Sequence, residues 1–96
     1  MATKYAPQSA FDWSDNWCDS DDGVQDTVVP TVGDDAVMTA NSGVCTLDVS
    51  TDAIDSFDMT GYTGTLDFSG EVLDTGAATL DGTLIGTGSV APSGNV

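Results

Sequence analysis

The sequence predicts an all-β fold, arranged as a short, irregular solenoid-like stack of short strands, with a β-sandwich or jelly roll as the alternative. Three observations lead there. Asp outnumbers Glu fifteen to one, and Thr, Ser and Gly supply 33 of the 96 residues, a composition that suits turns and strands and makes poor helices. From Val44 onward, apolar and polar residues alternate in units of five to seven residues, the period of a half-buried strand. Gly, Asp, Ser or Thr fills every gap between those units.

In chain order, residues 1–10, "MATKYAPQSA", hold the single Lys, a Pro and no periodicity. They read as an extended arm, disordered or ordered only against a partner. Residues 11–43 form an aromatic and acidic cap followed by a first strand: "FDWSDNWCDSDDG" precedes two short apolar runs, "VVPTV" and "AVM". The second run is a strand entered through the turn "VGDD". Residues 44–90 are a repetitive β body in which Cys45, Leu47 and Val49 face inward, then Phe57 and Met59, then Leu66 and Phe68, and then Leu80, Leu84 and Val90. Within it, Gly61 and Gly64 bracket a corner and Gly70 closes a unit. Residues 91–96 are a tail. The tripeptide "TLD" recurs at Thr46, Thr65 and Thr79; its unequal spacings fit a stack with corner loops of varying length, and chance recurrence is the alternative. Alternation alone does not separate a stack of parallel strands from an antiparallel sandwich.

Sixteen carboxylates face one Lys, with no Arg and no His, for a net charge of −15. Nucleic acid and anionic membrane are excluded as partners, because both are bound through cations that this chain lacks. No stretch approaches the roughly 18 apolar residues of a membrane span, and the first residues lack the apolar run of a signal peptide; a soluble product made in the cytoplasm is expected. The acid excess fits a surface adapted to high salt, where counterions screen self-repulsion, and equally an acidic protein of an ordinary or marine setting. Catalysis is not expected, since the usual general bases and oxyanion stabilisers are missing.

Three groups of residues are candidates for function. Cys18 and Cys45 form no CxxC pair, so they are a disulfide, worth about 3 kcal/mol over a loop of roughly 28 residues, or two buried thiols. Asp15, Asp19, Asp21 and Asp22 concentrate oxygen ligands suited to structural Ca2+ or Mg2+, the alternative being a solvated acidic loop. Tyr5, Phe11, Trp13 and Trp17 are candidate anchors for a partner; they equally suit the cap of a small core, and a third reading is carbohydrate stacking on Trp.

The segments Trp13 to Trp17, Val29 to Val37 and Cys45 to Gly70 resemble the amino-terminal part of virion and secreted β-solenoid structural proteins. Their span takes in a little over half of the chain. The resemblance implies a structural virion component: a small acidic decoration or cement protein, or a fibre base, carried on the capsid or tail of a tailed virus. It departs from that pattern in stopping after three or four rungs, which leaves a last strand edge exposed. A homo-oligomer, with a trimer favoured, would cover that edge. A carbohydrate-binding or adhesin-like β module of a surface protein is the second function class.

Overall fold

The computed structural model describes residues 2–92, and these contain no helix. Nine strands follow in order: β1 Thr3–Tyr5, β2 Phe11–Asp12, β3 Asp35–Val37, β4 Cys45–Thr46, β5 Ile54–Asp58, β6 Thr65–Asp67, β7 Val72–Thr79, β8 Thr83–Ile85 and β9 Ser89–Pro92. The odd-numbered strands form one sheet, ordered β1-β3-β5-β7-β9, and the even-numbered strands a second, ordered β2-β4-β6-β8. Every pair of neighbouring strands is parallel. A jelly roll needs antiparallel neighbours, and among the named strands of the described residues there are none.

Each pass of the chain therefore adds one strand to each sheet, and the register says how long a pass is. Asp35 pairs with Ser56 and Ser56 with Ala77, while Cys45 pairs with Leu66, so two successive passes of the odd-numbered sheet and one of the even-numbered sheet are 21 residues. The last pass is shorter, with Leu66 opposite Leu84 and Val72 opposite Ser89. The first is longer, with Thr3 opposite Asp35 and Phe11 opposite Cys45. "TLD" is not the repeat unit: Thr46 lies opposite Asp67, two places out of step with Thr65.

The register sets the core in columns. Phe11, Cys45, Leu66 and Leu84 line up in the even sheet. One residue beyond the odd-numbered strands, backbone bonds from Ala6, Met38 and Met59 to the preceding strand positions carry the register on, so that Ala6, Met38, Met59 and Leu80 also stack. Within both columns every member but the last is buried. Leu80 and Leu84 remain 43% and 42% exposed, because among the described residues no strand lies over them. Val90 is half-buried, so the inward facing expected for the last unit holds only in direction. Val49, also expected inside, is exposed, because β4 ends at Thr46 and Val49 falls on the corner that follows.

Corners are stitched from pass to pass by side chains. Ser56 donates to Asp35 at 2.6 Å, Ser50 to Glu71 at 2.9 Å, and Ser14 to Asp48. Gly61 has φ +83°, as a tight corner requires, and the Asp58 carboxylate accepts the Thr60 N–H beside it. Gly64 serves a different need: a Cβ there would sit 2.7 Å from the Tyr62 hydroxyl. Tyr62 is buried, and its one proton is shared between the carbonyl oxygens of Gly43 and Thr65 at 2.8 and 2.9 Å. Burial pushes its pKa up to about 12.

The amino-terminal arm is not an arm. Residues 3–5 are β1, bonded along their length to β3. Met1 lies outside the described residues, as does the expected tail from 93 onward; residues 91 and 92 belong to β9.

Candidate functional site

The chemistry of this protein is concentrated at its two ends. The long first pass, between β2 and β3, folds back over β1. The N–H of Tyr5 donates to the Cys18 carbonyl at 2.7 Å, and that of Cys18 to the Tyr5 carbonyl at 2.9 Å, an antiparallel bridge on the outer edge of β1 at Tyr5. A second bridge joins Trp17 to Thr27. The same segment drives its aromatic rings into the end of the core. Trp17 meets Phe11 and Trp13 edge-on, with centroids 5.5 and 4.8 Å apart, and Trp13 meets Phe57 at 5.7 Å. The Trp17 indole N–H donates to the Trp13 carbonyl at 3.0 Å, so no polar ring atom is left dry.

This geometry answers the question the aromatic residues raised. Phe11, Trp13 and Trp17 are buried and Tyr5 is half-buried, so the first three rings fill the cap of the core, and of the four only Tyr5 keeps part of its surface open.

Beneath the cap lies the single cation. Lys4 and Asp34 are each 6% exposed. The Lys4 ammonium is 3.2 Å from Asp34 Oδ2 and donates to the Val29 carbonyl at 3.3 Å. Asp34 also accepts the N–H groups of Ala2 and Thr31, at 3.0 and 2.9 Å, and the Thr31 hydroxyl at 3.1 Å. Burial alone would raise the Asp34 pKa, but these donors and the ammonium together hold it well below the usual carboxylate range. The pair ties the start of β1 to the turn before β3. Sequence reasoning missed it, since a Lys in a segment without periodicity shows no sign of its partner.

The acidic candidates are not assembled into a metal centre. Asp15 accepts the Asp12 N–H at 3.0 Å, and Asp21 accepts from the Thr39 hydroxyl and the Asn41 amide at 2.9 and 3.2 Å. Asp22 caps the Val24 N–H at 2.9 Å, and the Asp19 N–H donates to Asp26 at 2.9 Å. Asp15 and Asp22 thus close local turns while Asp21 ties its loop to residues 39–41, and among the described residues no three Asp, Glu, Cys or His side chains converge as metal ligands. Asp19 and Asp26 are neighbours that titrate against each other. The bond to Asp26 and its charge push Asp19 up, while the Asp19 N–H holds Asp26 down.

Cys18 and Cys45 are free and buried, not bridged. Cys18 belongs to the cap and Cys45 to the core column between Phe11 and Leu66. Burial, reinforced by nearby aspartates, raises the pKa of both thiols, so neither is an activated nucleophile.

The surface depressions are small. One of about 230 Å³ is lined by Phe11, Asp12, Asp15 and Thr46, and one of about 70 Å³ by Trp13, Val29, Pro30 and Val49. Neither brings a base to a nucleophile. The opposite end of the molecule is different in kind. There the second half of β7, all of β8 and all of β9 are paired on one side only and have no neighbour on the outer side among the described residues, and Leu80, Leu84 and Ile85 are exposed. No protein-family model, curated protein or solved structure matches the chain.

Proposed function

We propose that this chain is a structural module, a short β-solenoid with one finished and one open end, serving as a decoration, cement or fibre-base component of a virus particle. The observation that carries the reading is the parallel pairing of every successive strand in both sheets, with a 21-residue register through the middle passes, closed at one end by the aromatic cap and left unpaired at the other among the described residues. A stack of this kind supplies shape and an attachable end. The acidic exterior supports the same reading, because like charge keeps the acidic surfaces of many copies apart. The depressions among the described residues are small, about 230 and 70 Å³, and His and Arg are absent from the sequence, which supports it too. The carbohydrate-binding reading depended on exposed Trp rings, and both Trp side chains are buried.

Two measurements test it. Backbone NMR of the chain should give cross-strand contacts between Ala36 and Phe57 and between Cys45 and Leu66, and antiparallel contacts among the named strands would overturn the solenoid. Mass spectrometry of virus particles from the source should find the chain in many copies per particle. Its confinement to the soluble fraction, with none in particles, would overturn the virion role.

A further inference from the structure

The open end differs from the rest of the molecule in charge as well as in pairing. Of the sixteen carboxylates, fifteen lie in residues 1–74 and a single one, Asp81, lies in residues 75–96. Asp81 does not point outward along the stack. Its Oδ2 accepts the N–H of Gly61, one pass back, at 3.0 Å, and its Oδ1 the N–H of Gly82 at 2.9 Å. What faces out is apolar or uncharged: Ala78 and Leu80 from the end of β7, Leu84 on β8 and Val90 on β9, each the last member of its column. Among the described residues, a protein of net charge −15 thus has one face clear of outward charge, and that face carries its unpaired strand edges.

Deepening the solenoid reading, on which it rests, we infer that this end binds the same end of a second copy, forming a two-fold dimer. A second copy fits because the other end is covered by the returning first pass. There Tyr5, on the outer edge of β1, is already bonded to Cys18 in both directions, and the rings of Trp13 and Trp17 fill the core behind it. A molecule with one open end closes on itself as a pair, whereas two open ends would grow a filament. The two-fold axis runs β9 antiparallel to β9 of the mate and β8 antiparallel to β8, so the unpaired backbone groups of both copies find partners. It also covers the two leucines that end their columns, and it holds the acidic portions of the copies at opposite poles. High salt favours the pair by screening what repulsion remains.

Sedimentation equilibrium of the 96-residue chain, from about 1 to 100 µM and at low salt and about 1 M NaCl, where the Debye length is about 3 Å, should give twice the chain mass, more tightly at high salt. Amide exchange of β8 and β9 should slow as concentration rises. Leu84→Asp places a charge in the contact twice per dimer and should weaken it at least about tenfold. Val32→Asp, at an exposed position far in sequence from the open end, should leave it unchanged. Leu80→Asp is read in the same way should Leu84→Asp fail to fold. A monomer at every concentration, a trimer, an open-ended polymer, or a dimer indifferent to both Asp variants would overturn the proposal. Where the mass is monomeric but the NMR contacts between Ala36 and Phe57 are present, only the dimer falls. Where those contacts are missing, the solenoid falls with it.

Discussion

Replacing Lys4 with Met puts the cap to its most direct test. The substitution keeps the length and apolar stem of the side chain and removes the charge. Asp34, 6% exposed, then loses the ammonium 3.2 Å away. Breaking a buried ion pair costs about 3–5 kcal/mol, because an uncompensated charge remains inside. Asp34 keeps three other donors, from Ala2 and Thr31, so the lower end, about 3 kcal/mol, applies. For a domain of this size that lowers Tm by about 12–24 °C. The companion Lys4→Met/Asp34→Asn removes both charges and should recover about 2 kcal/mol of the loss, since a neutral pair has little left to desolvate. Urea unfolding followed by circular dichroism, at one salt concentration for all variants, gives the cycle. A Lys4→Met cost below about 1 kcal/mol, the range of an exposed pair, with no coupling to position 34, would refute the reasoning.

Four further outcomes are expected. Asp34 has a folded pKa depressed below its unfolded value, so its contribution is complete above the ordinary carboxylate range, near pH 4, and is lost as pH falls through the folded value; the stability gap between wild type and Asp34→Asn should narrow only below about pH 4, and a gap that closes between pH 7 and 5 would contradict it. Tyr62→Phe should cost about 1–3 kcal/mol by leaving the Gly43 or Thr65 carbonyl without its donor, and Gly64→Ala should cost a similar amount by displacing the ring, both read from urea midpoints. Cys18 and Cys45 should resist a thiol reagent in the native state and react fully on unfolding without reductant; rapid labelling, or no free thiol in denaturant, would count against the burial described. Thermal midpoints should rise from about 0.01 M to 1 M salt as the Debye length falls from about 30 to 3 Å, and a chelator at fixed ionic strength should leave them unchanged.

Much of the body could be read from the sequence because half-buried strands announce themselves by alternation. Phe57 and Met59, Leu66 and Phe68, and Cys45 and Leu47 are buried as their spacing requires, and Gly61 and Gly70 take the positive φ of corners. The repeat length was visible too, though in another place than "TLD". "MTANSG" at 38–43 and "MTGYTG" at 59–64 share their Met, Thr and Gly at a spacing of 21, because Met fills a core column and Gly meets the ring or backbone crossing it. "TLD" misleads because its three occurrences sit at different places on the pass.

The cap was harder. β1 carries a Lys where alternation looks for an apolar residue, and the carboxylate that makes a buried Lys tolerable lies thirty positions away. The tryptophans gave no sign of direction for a related reason. Their burial depends on a long excursion that returns to β1 through Cys18, a contact with no periodicity to betray it. Val49 misled in the opposite sense, since its alternation continues past the residue where the chain turns.

The placing of Lys4 bears on how this protein is broken down. Trypsin-like proteases cut after Lys or Arg, and the sequence offers them one such bond, at position 4. That bond lies within β1, its side chain enclosed against Asp34, where an extended segment cannot be drawn into a protease cleft unless the cap opens. The folded chain therefore resists such enzymes, and its turnover is left to proteases that cut beside aromatic residues, which the fold mostly keeps inside, or beside aliphatic ones such as Val24, Val28 and Val32, which it leaves exposed.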